Sequence, residues 1–149
     1  MHEIAISGVG QTPYRRRHAD KSSGDLMWDA TRPALEQAQI DPSEVDAFVI
    51  GVAPDALGGV NCPEKSSFFC PVGKPVVRVN TGGLTGASAA QLARTLVASG
   101  QARTVVAIAL KRMGQATTAQ AVFNTIFDPI YEKDIVLTTV TMGALRASM

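Results

Sequence analysis

The stretch Val76-Val77-Arg78-Val79-Asn80-Thr81-Gly82-Gly83-Leu84-Thr85-Gly86-Ala87-Ser88-Ala89-Ala90 constrains this chain more than any other. Val76 to Val79 is a short β-branched run with the length and composition of a buried strand. Thr85 to Ser99 has helix-forming composition, closed by Gly100 at the C′ position. A strand that enters a helix through a glycine turn leaves backbone N–H groups without intrahelical partners and adds the positive end of the helix dipole. Anions, thiolates and developing oxyanions are favoured there, which makes Asn80, Gly82, Gly83, Leu84, Thr85 and Gly86 the candidate ligand-binding residues. A cysteine at this turn would have a lowered pKa. Position 83 carries glycine instead. The same glycines also suit a helix packed close to a sheet, and the two roles are compatible.

The rest of the chain alternates strand and helix. Glu3 to Val9 reads as a strand and Gln11 to Ser22 as a polar loop. Ser23 is placed to N-cap a helix running to about Gln39, with Leu26, Met27, Ala30, Ala34 and Ala38 on one side. Pro33 interrupts that pattern and is expected to kink the helix or delay its regular start; in a straight interior it costs about 3 kcal/mol. Asp41-Pro42-Ser43-Glu44 combines an N-cap, a proline at N1 and a glutamate at N3, which predicts one helical turn. Ala47 to Val52 follows as a buried strand, and residues 53–74 lack periodicity and read as a long loop. Thr104 to Leu110 is a continuous apolar run, the pattern of a central strand. Residues 117–134 read as an irregular lid with aromatic anchors Phe123, Phe127 and Tyr131, and a last helix is expected from near Leu137. That helix ends without a glycine cap, basic tail or proline, the pattern of a chain cut within a longer one. Four strands joined by helices or long crossovers predict an α/β fold with a mostly parallel sheet and layered helices.

Composition narrows the function classes. Fourteen basic residues against 13 acidic ones leave a formal charge of +1, which removes the main argument for nucleic acid or an acidic membrane as partner. No run of about 18 apolar residues is present, and the N-terminus has no signal-peptide pattern, so a cytoplasmic protein without a membrane span is expected. Cys62 and Cys70 are spaced too widely for a CxxC pair and have no histidine nearby in sequence, so they are expected to be reduced thiols, with no metal site. Gly8 and Gly10 suggest half of a dinucleotide fingerprint, but Gln11-Thr12-Pro13 follows where a helix and third glycine are needed. The run Arg15-Arg16-Arg17-His18 suits either a solvated loop or a phosphate contact.

Several segments in order resemble the thiolase superfamily, and most closely its lipid-transfer-like, sterol-carrier-associated branch. They are Ile6-Ser7-Gly8-Val9-Gly10-Gln11-Thr12-Pro13-Tyr14, Asp46-Ala47-Phe48-Val49-Ile50-Gly51, Arg78-Val79-Asn80, Leu110-Lys111-Arg112-Met113-Gly114 and Phe127-Asp128-Pro129-Ile130-Tyr131. The resemblance runs over essentially all of the chain and implies an N-terminal, partial thiolase-like half-domain over 1–149. It also implies coenzyme A thioesters as ligands, with no resident cofactor. In its register the nucleophile position falls on Gly83, with Thr85-Gly86 where the family has Ser-Gly, and no cysteine lies between Cys70 and Met149. Covalent thiolase catalysis by this chain is therefore not expected, and no residue is assigned as catalytic. The resemblance leaves three readings: a fragment or non-catalytic acyl-CoA-binding member, a cysteine-independent enzyme performing retro-aldol cleavage of a CoA-linked side chain with Tyr131 or with tyrosines beyond Met149, or a structural subunit. A homodimer, or a hetero-oligomer with a thiolase-like or small accessory subunit, is the implied assembly, and Phe127 and Tyr131 are the implied lid residues.

Overall fold

In a computed structural model the centre of the chain is β1 (Ala47–Val52), all six of whose residues are buried. The structure describes residues 4–52, 73–115, 118–124, 128, 130–132 and 138–148. β2 (Val76–Val79) runs parallel to β1 with Val76 opposite Phe48, and β3 (Val105–Leu110) runs parallel on the other side with Val105 opposite Ala47. The sheet order is β2-β1-β3. α2 (Thr85–Ala98) is the helical connection from β2 to β3, and α1 (Ser23–Ala38), which precedes β1, covers the opposite face of the sheet.

The two-residue period of β1 divides the core. Phe48, Ile50 and Val52 pack with Met27 and Leu35 of α1, with Val45 and with Ile108 of β3. Val49 points the other way, onto Ala89 and Ala93 of α2. A strand buried on both faces has no polar alternation, which is why its sequence is an unbroken apolar run.

Local chemistry sets the element ends. Ser22 caps α1: its Oγ accepts from Asp25 N–H at 3.1 Å while Asp25 Oδ2 accepts from Ser22 N–H at 2.8 Å. The cap thus falls one residue before the expected Ser23, where the three-residue spacing to an acidic partner closes the reciprocal pair. Asp41 and Glu44 make the same exchange around a single 3₁₀ turn over Pro42–Glu44. α2 closes at Gly100, with φ 73° and its N–H bonded to Val97 O at 3.0 Å. α1 continues through Pro33, whose Cγ lies against Gly10 of the N-terminal segment.

Asp46 ties the start of β1 to the start of β3. Its Oδ2 accepts from Arg103 N–H at 2.8 Å and Thr104 N–H at 3.0 Å. These bonds, Thr104 first, hold its carboxyl below the usual carboxylate range. A carboxyl depressed in the folded state contributes stability above its unfolded pKa, about 3.9, and loses it as pH falls through the folded value. Urea midpoints measured across acid pH are therefore expected to drop below about pH 4, and less steeply in Asp46→Asn. Equal acid slopes for the two proteins would exclude Asp46 as a contributor.

Three expectations about strands require correction. Val76 to Val79, expected as a buried strand, is exposed at Val76, Val77 and Arg78, because among the described residues it pairs on one side only, with β1. The segment expected as a first strand, Glu3 to Val9, is extended from Ile4 but pairs with no strand among the described residues. It is held on α1 instead: at Gly8 and Gly10 an added Cβ would run into the Ala34 and Ala30 carbonyl oxygens, and Val9 N–H donates to Gln37 Oε1 at 2.9 Å. β3, expected as a central strand, stands at an edge of the described sheet. Most of the expected loop, with Cys62 and Cys70, and Phe127 lie outside the described residues. Within the segment expected as an irregular lid, Ala119–Asn124 forms a short helix, α3, and α4 (Thr139–Ala147) begins after the capping residue Thr138. No helix of the described residues is long and apolar enough to cross a membrane.

Candidate functional site

The turn between β2 and α2 is a knot of side chain to backbone hydrogen bonds. Asn80 Oδ1 accepts from Gly82 N–H at 3.1 Å, and Thr85 Oγ1 accepts from Thr81 N–H at 3.0 Å while donating to Gly82 O at 2.7 Å. Thr81 and Ser88 share a hydroxyl hydrogen bond of 2.7 Å. Gly82 takes φ 60°, a left-handed conformation that glycine adopts without strain. The chain then makes a 3₁₀ turn over Gly82–Leu84 and enters α2 with no side chain capping its N-terminus.

That uncapped end opens on a cavity of about 420 Å³. Gly82, Gly83, Thr85 and Gly86 line it, together with Gly51 from β1, Ala109 and Leu110 from β3, Lys111, Met113, Val122, Phe123 and Thr139. Thr85 is buried and Gly83 exposed, and a Cβ built on Gly83 would meet nothing within 4 Å. Gly51 lets the helix end approach the sheet: a Cβ there would lie 3.0 Å from Thr85 O and 3.2 Å from Ala89 Cβ.

The expected site residues separate into groups. Gly82, Gly83, Thr85 and Gly86 converge on the cavity, whereas Asn80 acts behind it by holding Gly82 N–H, and Leu84 points to solvent. Tyr131 stands 82% exposed on a turn and does not line this cavity. That turn is organised by Asp128, whose Oδ1 accepts from Ile130 and Tyr131 N–H at 2.8 Å each. Those bonds, Tyr131 first, lower its carboxyl pKa. Residue reading alone missed Gly51, Ala109, Val122 and Thr139, which reach the cavity only through strand register and helix placement. Lys111 and Met113 fall in a segment the family resemblance marked, without a role.

Chemically the cavity is an anion-tolerant, mostly apolar site. It offers the α2 N-terminus and the Thr85 and Thr139 hydroxyls, with Lys111 in its wall, and among the described residues its lining includes no cysteine, histidine or carboxylate. Among the described residues no three His, Cys, Asp or Glu side chains cluster in a way that would hold a metal ion.

Comparison with known proteins agrees with this architecture. The family described as thiolase, N-terminal domain, matches residues 4–147. Sterol carrier protein 2 of Homo sapiens is 29% identical over 121 residues, covering 78% of this chain and 22% of its own length. The Bos taurus protein of the same name is 31% identical over 114 residues, covering 75% and 21%. The chain thus spans about a fifth of the length of these relatives. Among solved structures, 3-oxoacyl-[acyl-carrier-protein] synthase III from Aquifex aeolicus VF5 superposes with a TM-score of 0.57 at 15% identity, over 64% of this chain and 32% of that one. The priming β-ketosynthase of the R1128 polyketide biosynthetic pathway gives 0.54 at 22% identity, over 64% and 29%. At these identities the two structures bear on the fold alone.

Proposed function

We infer the function from a premise the sequence match establishes: this chain belongs to the thiolase family, through its N-terminal domain. We propose that it is a non-catalytic, acyl-CoA-binding member of the lipid-transfer-like branch, taking the thioester end of its ligand at the N-terminus of α2. The observation that carries this reading is Gly83, which stands at the uncapped helix end, lines the cavity and has open space where a side chain would project. The helix-end electrostatics suited to a thioester carbonyl are present, while the position offers no nucleophile. The relatives named sterol carrier protein 2 support a lipid-related ligand. Tyr131 lends the retro-aldol alternative no support, because it lies on an exposed turn and does not line the cavity.

Isothermal titration with acetyl-CoA and a long-chain acyl-CoA is expected to show saturable binding, with no release of free CoA thiol. Absence of heat with the folded protein, or steady thiol release, would sink the reading. A second measurement isolates the turn. Gly83→Cys, in a background with Cys62→Ser and Cys70→Ser, is expected to react with iodoacetamide at pH 7 about fivefold faster than the same chain unfolded in urea. Equal rates would remove the helix-end field from the argument.

A further inference from the structure

The chain leaving β3 is gripped from behind by the loop that leads into α1. Arg112, two residues past the end of β3, donates from Nη2 to Lys21 O at 2.9 Å and to His18 O at 3.2 Å, and its Nη1 lies 3.5 Å from Ser23 Oγ. His18 and Lys21 are the two ends of one turn, closed by Lys21 N–H on His18 O at 3.4 Å. Ser22 and Ser23, which follow it, are the cap and the first residue of α1. One guanidinium thus spans the turn and the start of the helix, a reach that its planar fork of donors permits and a compact ammonium does not.

The grip is returned. Arg17 Nε donates to Gly114 O at 3.3 Å, and a Cβ on Gly114 would run into Arg16 O, so the two backbones touch here and only glycine fits. Each segment gives an arginine to the other's carbonyl groups. Among the described residues Arg112 pairs with no carboxylate, and its Nε is buried with no hydrogen-bond partner. A guanidinium placed on neutral carbonyls makes no ion pair, so its contribution is to fix geometry.

What it fixes is a wall of the cavity at the α2 end. Lys111 and Met113, on either side of Arg112 in the chain, line that cavity, whereas Arg112 does not. Met113 opens the 3₁₀ turn Met113–Gln115 and shares the apolar lining with Leu110, Val122 and Phe123. A three-residue 3₁₀ turn has little hydrogen bonding of its own, so the place of its side chains follows from what its flanks are tied to.

We propose that Arg112 is a positioning residue of this site: by tying the chain after β3 to the loop before α1, it holds Met113 against the acyl group and makes the cavity selective for acyl-chain length. The proposal rests on the acyl-CoA reading above. A short acyl group makes few contacts and loses a large share of them when Met113 is free to move. A long chain spreads its contacts over Leu110, Val122 and Phe123 as well, and loses a smaller share.

The test compares acetyl-CoA with octanoyl-CoA by isothermal titration into wild type, Arg112→Gln and Arg112→Lys. Arg112→Gln is expected to weaken acetyl-CoA about fivefold more than octanoyl-CoA, the effect of one lost apolar contact, and Arg112→Lys to recover part of that difference. A smaller folded fraction weakens every ligand by one common factor, so the ratio of the two affinities separates the wall from stability. Arg17→Gln, a change at an exposed residue, should move the ratio the same way by less, and it carries the test if Arg112→Gln does not fold. An unchanged ratio in folded variants overturns the proposal. A ligand-free readout distinguishes it from the acyl-CoA reading: the isotope-labelled methyl resonance of Met113 should shift and broaden in Arg112→Gln and Arg17→Gln, while that of Met27, buried in the core, stays in place. If wild type binds neither thioester, the acyl-CoA reading and the chain-length selectivity fall together, whereas a Met113 resonance that does not move removes the positioning role alone.

Discussion

Phe48→Ala is expected to destabilise the chain by about 3–5 kcal/mol, the range for emptying a buried aromatic site. Phe48 is fully buried and heads the fully buried side chains by volume. It sits in the middle strand of the sheet and packs with Met27, Leu35, Val45 and Ile108, so its loss opens a void that α1 and β3 both border. A domain of this size has on the order of 5–15 kcal/mol of total stability, so roughly a fifth or more is at stake. The measurement is a urea titration, with the midpoint falling and the slope preserved, together with a melting temperature lower by about 10 °C. A loss below about 1 kcal/mol would mean that the α1 face of the sheet is not the core it is described to be.

Gly51→Val is expected to cost about 1–3 kcal/mol by overpacking and to degrade the candidate site at the same time. Gly51 is buried in β1 where Thr85 of α2 comes closest, with Thr85 O 3.0 Å and Thr85 Cγ2 3.1 Å from the place a Cβ would occupy. A valine cannot fit there unless the first turn of α2 moves outward. That turn carries the Thr85 hydroxyl, which bonds both Thr81 N–H and Gly82 O, so the displacement propagates into the glycine turn. Gly51→Ala should give a smaller loss in the same direction. Acyl-CoA affinity should fall in the order wild type, alanine, valine, read by calorimetry on samples that circular dichroism shows to be folded. Unchanged affinity in the valine variant would separate the α2 end from ligand binding.

Much of the architecture was legible because local patterns and tertiary needs coincide. The β1 run, the Asp41–Glu44 turn, the β2 strand and the α2 helix with its Gly100 closure all stand where their residues placed them, within a residue or so. Pro33 does not delay the start of α1, which begins at Ser23 and runs through it, and its ring lies against the N-terminal segment at Gly10. The cavity was half legible. Its glycine turn is a contiguous motif, but Gly51, Ala109, Val122 and Thr139 come from elements whose convergence no local spacing records. Tyr131 shows the reverse, an aromatic whose sequence context suggests an anchor but whose backbone is held on an exposed turn by Asp128.

Sequence by itself determined the element order, the α/β class and the glycine at position 83, because these depend on composition and periodicity within single segments. Tertiary structure alone decided which residues face one another across elements. It placed Gly51 under α2, drew the N-terminal segment onto α1 rather than into the described sheet, and set β3 at one side of that sheet. Edge or centre is not a property of a strand's own residues. It depends on whether another strand is there to pair with, which is why an unbroken apolar run reads as central and yet stands at the edge of the described sheet.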